Sequence, residues 1–253
     1  MQLQYRSALE KAAGNGKVEV LQLLTQRLMT ARRAGGKPPP LAADIANLAS
    51  QRSGWTPLMC ASAAGQWPAA QFLLKSKASA NKPNRSGQTA LELASAAGHA
   101  GLVTPLLTHD AELDLPNPRT EITPLLASCM DDVGAAAVSV LLEARADVNY
   151  RRETERDTAL RLACKAGLRE TVRTLLKHAK QSGEPMSLER QDIHDGNVLH
   201  VAARSGHEKL LSDLLRHKDA PALINQVDLQ GNTPPMVAAS AVHVKAVDVL
   251  LMV

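Results

Sequence analysis

Residues 54–65 read GWTPLMCASAAG and residues 87–98 read GQTALELASAAG, the same phrase 33 positions apart. Each part of the phrase has a physical use. A Thr just ahead of an apolar run can accept a backbone N–H of the first helical turn. Pro is tolerated in that turn, where its missing N–H is not needed. Paired small residues, Ala61/Ser62 and Ala94/Ser95, let neighbouring backbones approach closely. A closing Gly can take the left-handed conformation that ends a helix. The phrase therefore predicts a short helix capped at both ends.

Outward from these two copies the phrase recurs as ITPLLASCMDD (122–132), DTALRLACKAG (157–167), GNVLHVAARSG (196–206) and GNTPPMVAASAV (231–242). A degenerate first copy, SALEKAAGNG, lies at 7–16. Thr56, Thr89, Thr123, Thr158, Asn197 and Thr233 share one offset, at steps of 33, 34, 35, 39 and 36. Behind each copy a second helical pattern ends in Leu-Leu, at 73–74, 106–107, 141–142, 175–176, 214–215 and 250–251. One such helix pair cannot bury its apolar face alone, so the units must stack.

In period and internal pattern the chain resembles the ankyrin-repeat family over nearly its whole length. The resemblance implies an all-α fold: an ankyrin-repeat solenoid of about seven helix-turn-helix repeats joined by hairpin loops, in a single domain over 1–253. Repeats are expected at about 6–25, 54–84, 87–117, 121–150, 156–178, 195–225 and 231–253. Insertions at 25–42 and 178–191 are rich in Gly, Pro and charge and read as solvated loops.

Departures from the pattern carry expectations of their own. The family's His after Thr-Pro-Leu survives as His200, whereas Met59, Glu92, Leu126, Arg161 and Met236 replace it elsewhere. Those repeats are expected to lose a brace between adjacent loops. His99, His207 and His243 sit where the family's Gly-His starts the second helix, and are expected to be structural. Residues 131–139 carry one extra residue where a Gly should end the helix. Pro235 stands in place of Leu and Val242 in place of Gly, so the last copy has the least secure register. Trp67 replaces a Leu that packs between helices and is expected in the core.

Composition narrows the function. Only five residues are aromatic (Tyr5, Trp55, Trp67, Phe72 and Tyr150), although 45% are hydrophobic, which suits thin layers of Ala- and Leu-rich helices rather than one large core. No apolar run is long enough to cross a bilayer, and no secretory signal follows Met1. Cys60, Cys129 and Cys164 are odd in number, widely spaced and without a CxxC pair, which argues against disulfides or zinc. A reducing cytoplasmic or nuclear setting follows. No phosphate loop, metal-ligand pair or activated nucleophile is present, so neither enzyme activity nor a cofactor is expected. The net charge of +4 is too small to imply nucleic acid by itself.

Candidate partner-binding residues fall in two places. Four residues before the capping Thr stand Arg52, Arg85 and Arg119, a ladder of guanidinium groups where the resemblance puts hairpin tips. Trp55, Gln88 and Ile122 occupy the variable position next to that Thr; Trp55 is an interface anchor or lies on the basic insertion around Arg32, Arg33 and Lys37. The concave edge of the first helices adds Met130, Asp131, Lys165 and Arg204. Asn149 matches a closing Asn that is hydroxylated in some family members, and its plainer role is to brace the turn.

Three functions stay open. One is a protein–protein interaction scaffold or adaptor that grips an acidic or mixed polar surface. Another is a regulatory or targeting domain of a larger enzyme, channel or ubiquitin-ligase adaptor, suggested by the uncapped apolar VDVLLMV at 247–253. Its face of Leu250, Leu251 and Val253 is expected to lie open. The third is nucleic-acid binding through the basic N-terminal insertion, and it is the weakest because the insertion lacks aromatics and the middle of the chain is acidic.

Overall fold

The capping threonines behave as their chemistry predicts. Thr56, Thr89, Thr123 and Thr158 each accept the backbone N–H three residues on, at 3.2–3.3 Å. Asn197 accepts those of Leu199 and His200 at 3.0 and 3.3 Å. Thr233, followed by Pro234 and Pro235, makes no side-chain cap. These sites start the first helix of the second to seventh repeats in the computed structural model, which describes residues 2–30, 41–183, 196–217 and 220–252.

The helices come in pairs: α1 (Gln2–Gly14) with α2 (Val18–Thr30), then α3 (Ala42–Ala46) alone, then α4 (Pro57–Ala63) with α5 (Trp67–Lys75). There follow α6 (Ala90–Ala96) with α7 (Ala100–Leu107), and α8 (Pro124–Ser128) with α9 (Ala135–Glu143), joined by a 3-10 turn at Asp132–Gly134. Next are α10 (Ala159–Ala166) with α11 (Arg169–Ser182), and α12 (Val198–Arg204) with α13 (Glu208–Leu215) and the short α14 (Ala220–Leu223). The last pair is α15 (Pro234–Ser240) with α16 (Val244–Leu251). No β-strand occurs among the described residues.

First helices pack on first helices, α1 on α4, α4 on α6, and so on to α15; second helices form a parallel row from α2 to α16. Between the rows lies one continuous apolar seam, including Leu58, Leu73, Leu91, Leu106, Leu125, Leu141, Leu160, Leu175, Leu199 and Leu214. Each is fully buried. The small pairs serve the same close approach, and Ala61, Ser62, Ala94, Ser95, Ala202 and Ala203 are all buried.

Several expectations need correction. The stretches read as loops are partly helical: α2 continues to Thr30, α11 continues to Ser182, and α3 begins at Ala42. Residues 31–40 and 184–195, which hold the rest of both insertions with Arg32, Arg33 and Lys37, lie outside the described residues. Trp67 is not core but 39% exposed. The buried stripe of α5 is Ala69, Ala70, Leu73 and Leu74, and Trp67, the first residue of the helix, lies about 90° round from its centre. Leu250 is buried at 1% exposure, whereas Leu251 stands open at 70%. Val253 lies outside the described residues.

The last copy keeps its register at a local cost. Val242 takes the left-handed conformation (φ 61°) that Gly65, Gly98, Gly167 and Gly206 hold in earlier repeats. Its N–H reaches the Ala239 carbonyl at 3.0 Å, and that of His243 the Ala238 carbonyl at 3.0 Å, as Gly206 and His207 do to Ala203 and Ala202. A β-branched residue is strained there. At 80% exposure Val242 makes up little of that strain by packing.

Two stability outcomes follow. Val242→Gly should stabilise the protein by about 1 kcal/mol in chemical denaturation, through relief of the left-handed strain. Leu91→Ala or Leu141→Ala should cost roughly 2–5 kcal/mol through a core cavity; a loss below about 1 kcal/mol would mean that the seam is not the main source of stability.

Candidate partner-binding surface

Three of the hairpins are built around an Asn or Asp that the sequence reading passed over, whereas Ser50 and Arg152 stand at that place in two others. Asn84 Oδ1 accepts the N–H groups of Ser86 and Gln88, both at 2.9 Å. Asn117 Oδ1 accepts that of Arg119 at 3.0 Å, and Asp228 Oδ1 those of Gln230 and Asn232 at 3.0 and 2.8 Å. Such side chains mimic a backbone turn. Their signal was visible as an Asx three or four residues before the Gly, or its replacement, that precedes the cap. The hairpins also touch in series: Arg85 donates its N–H to the Ser53 carbonyl at 2.9 Å, and a Cβ on Gly87 would meet Asn117 Oδ1 at 2.3 Å.

A second Asx series ties the loops farther back. The Asn47 amide donates to the Lys77 carbonyl at 3.1 Å and accepts from Ser79 N–H at 2.8 Å. Asn81 treats the Asp110 carbonyl and Glu112 N–H alike, at 2.7 and 2.8 Å, and Asp114 accepts from Asp147 N–H at 3.0 Å. Asn149 N–H bonds Asp147 Oδ1 at 2.9 Å, inside its own turn.

Arg52, Arg85 and Arg119 are exposed on three successive tips, and none is in an ion pair among the described residues. Their common offset from the capping Thr is not a common place in the turn. Ser50 N–H bonds the Trp55 carbonyl and Asn117 N–H the Ile122 carbonyl, whereas Asn84 N–H bonds the Gln88 carbonyl one residue sooner. Arg85 is therefore the first tip residue, and Arg52 and Arg119 are the second. The series ends at Thr154, whose N–H and hydroxyl both bond Glu121 Oε2, at 3.0 and 3.1 Å. Glu121 holds a left-handed φ of 57°, and the Thr154 N–H keeps its carboxyl below the usual range.

The remaining candidates divide. Trp55 and Ile122 are half-buried against the core, and Gln88 Oε1 is taken by the Asn84 amide at 3.1 Å. Asp131 caps the 3-10 turn, accepting from Val133 and Gly134 N–H at 3.0 and 3.2 Å. Gly134 closes that turn so tightly that a Cβ would lie 2.4 Å from the Ser128 carbonyl, which absorbs the extra residue. Arg204 lies 3.9 Å from Asp228 in an ion pair. Met130 and Lys165 are exposed at the ends of first helices, and Trp67 is an exposed aromatic that the sequence reading placed inside.

The loop-bracing position keeps a bonded side chain at Met59, Glu92, Arg161 and His200, whereas the aliphatic Leu126 has none to offer and Met236 stands exposed. His200, fully buried, accepts Asn197 N–H on Nδ1 at 3.1 Å and bonds the Asn232 carbonyl of the next hairpin through Nε2 at 3.0 Å. Burial lowers its pKa, so it braces as a neutral ring. Met59 Sδ sits 3.4 Å from Thr56 N, and Arg161 pairs with buried Asp157 at 2.8 Å. Glu92, 5% exposed, receives Asn117 Nδ2 from the next hairpin at 3.4 and 3.3 Å, one to each oxygen. Burial pushes its carboxyl up to about 7, against the pull of the Asn117 and Gln88 bonds.

Burial likewise pushes the thiols of Cys60, Cys129 and Cys164 up to about 12, so none is an available nucleophile at neutral pH. Among the described residues no group of three or more His, Cys, Asp or Glu is placed to hold a metal ion. None of their helices is long and apolar enough to cross a membrane.

Comparison with known proteins agrees with this architecture. Residues 2–117 and 96–186 match the family profile described as ankyrin repeats (3 copies). Over 99 residues the chain is 36% identical to the chicken (Gallus gallus) nuclear factor NF-kappa-B p105 subunit, a match covering 37% of this chain and 10% of that protein. The chain thus spans about a tenth of the length of that curated relative. The crystal structure of the human ASB11 ankyrin repeat domain superimposes with a TM-score of 0.74 at 23% identity, over 98% of this chain and 97% of that one. At that identity the likeness concerns the fold.

Asn117→Ala should cost about 1–3 kcal/mol, because it frees the Arg119 N–H and strips the buried Glu92 carboxyl of a donor. Chemical denaturation checks this; a neutral substitution would mean that the Asx bonds do not hold the hairpin.

Proposed function

Because this chain belongs to the ankyrin-repeat family, whose domains are typically non-catalytic modules that bind other proteins, we infer that it is a scaffold or adaptor reading one partner along its hairpin tips. The observation that carries this is three exposed arginines, Arg52, Arg85 and Arg119, on successive stacked tips and in no ion pair among the described residues. Three forks in a row suit an acidic or mixed polar protein surface. Lys165 and Met130 extend the contact onto the ends of the first helices, and exposed Trp67 is a further anchor of the kind interfaces favour. Trp55, half-buried, supports the tip it stands behind.

A regulatory or targeting role within a larger protein is a second reading. It is supported by the p105 match, in which the matching stretch is a tenth of the relative's length.

The test is peptide display against the purified repeats, followed by binding kinetics of the selected peptides. Acidic sequences should be enriched. Arg52→Glu, Arg85→Glu and Arg119→Glu together should slow association and weaken its salt dependence, with little change in the melting curve. Trp55→Ala, by contrast, should lower stability more than affinity. Selected peptides that bind the triple variant as well as the parent would place recognition away from the tips.

A further inference from the structure

One carboxylate on the row of second helices is ringed by three arginines. Asp213 of α13, its side chain only 9% exposed, takes Arg169 Nε of α11 on Oδ2 at 2.9 Å and Arg173 Nη2 on Oδ1 at 3.1 Å. Arg216 Nη1 stands 3.8 Å from the same Oδ1. Arg173 also reaches Glu170 at 2.7 Å, and Glu170 is largely exposed. Helix periodicity extends the cluster. Arg169, Arg173, Lys177 and Lys180 recur at steps of four, four and three residues, so they share one face of α11. Lys209, Asp213 and Arg216 share one face of α13 in the same way. The Asp213 bonds show that these two faces meet. Lys177 and Arg216 each stand ten residues after the glycine that closes the first helix of their repeat, Gly167 and Gly206, and so lie at one level of the parallel pair.

Positive charge is left over. Six cations on the two faces stand against Asp213 and Glu170, and Lys177, Lys180 and Lys209 are exposed and in no ion pair among the described residues. Glu208, the other acid of α13, is engaged by Lys245 of α16 at 3.9 Å. The arginines keep donors to spare. A guanidinium carries five N–H groups. Arg169 gives Asp213 its Nε, Arg173 gives one N–H from each Nη, and Arg216 stands off at 3.8 Å. Asp213 thus fixes where the guanidinium groups stand, while their side chains remain 37%, 47% and 79% exposed.

We propose that this α11–α13 groove is a phosphate-binding site that takes a phosphorylated segment of a partner protein. A phosphoryl group carries about −1.5 to −2 charge and three acceptor oxygens at neutral pH, enough to engage two or three convergent guanidinium groups at once. Arginines gathered on one point suit such a group better than carboxylates spaced along a chain. Other polyanions fit less well. No large apolar side chain is exposed on α11 or α13, so nothing there would enter a lipid surface. Neither helix carries a Phe, Tyr or Trp to stack a base. The charge is also local. On one side α9 has no Lys or Arg, and on the other α16 has Lys245 tied to Glu208 and offset by Asp248. A duplex or a membrane would need a longer strip of cations. The site uses none of the hairpin tips and does not rest on the function inferred for them.

The experiment titrates inorganic phosphate into the isotope-labelled protein at constant ionic strength, with chloride as the control. In NMR, phosphate should shift the Nε–Hε signals of Arg169, Arg173 and Arg216 more than chloride does. In fluorescence anisotropy, a degenerate phosphoserine peptide pool should bind about tenfold more tightly than the same pool without phosphate. Arg216→Gln with Lys177→Gln should remove that preference with little change in Tm, because both side chains are exposed and the Arg169–Asp213 bond stays in place. Either substitution alone should weaken it about threefold. Arg52→Glu, Arg85→Glu and Arg119→Glu together should leave it intact, so this site and the tip function fail separately. Phosphate that shifts these signals no more than chloride, or pools bound equally with and without phosphate, would overturn the proposal. So would tighter binding to phosphatidylserine vesicles or to duplex DNA than to the phosphorylated pool.

Discussion

A short helix leaves its last carbonyls without intrahelical partners, and in a seven-residue helix that is a large share of the backbone. In this chain the next repeat supplies a donor. Histidines 99, 207 and 243 each place Nε2 3.1–3.2 Å from a carbonyl at the end of the preceding first helix, those of Ala63, Lys165 and Arg204. The ring lies against the left-handed glycine that ends that helix. A Cβ at Gly65, Gly167 or Gly206 would come within 2.6 Å of it. At these three junctions glycine and histidine are one device shared by two repeats, the histidine adding a donor that the helix's own cap does not supply.

Much else depends on that sharing. The apolar seam supplies the bulk of the stabilisation, but leucine contacts alone do not fix how far one repeat slides or turns on the next. Directional bonds do: His200 to Asn232, Asn47 to Lys77 and Ser79, and Asn81 to Asp110 and Glu112. Stacking at a fixed angle then brings the hairpins close enough for Arg85 N–H to reach Ser53. The arginine tips are a surface only because of this. They belong to separate repeats and meet nowhere in the sequence.

The fold was legible because period and caps are local. A threonine before an apolar run and a glycine after it say helix at each copy, and the 33- to 39-residue steps say stack. Side-chain direction was less legible. Trp67 was placed in the core by analogy with a leucine, yet its register is shared by Arg169 and Glu208, which marks it as outward. Counting arginines back from the capping threonine likewise hid a one-residue difference in turn length. Replacement chemistry was the least visible. That Glu92 stands for histidine was plain, but that it would be met by Asn117 depends on how the next hairpin closes, a fact of the neighbour rather than of the repeat.

The central claim, that at the His99, His207 and His243 junctions a repeat finishes the helix of the one before it, is tested most directly by amide hydrogen exchange on His207→Ala. The account predicts faster exchange in two places: at the start of α13, where the substitution lies, and at the carboxyl end of α10, around Ala166 and Gly167 in the preceding repeat. Exchange that quickens in α13 alone, with α10 as protected as in the parent protein, would contradict it.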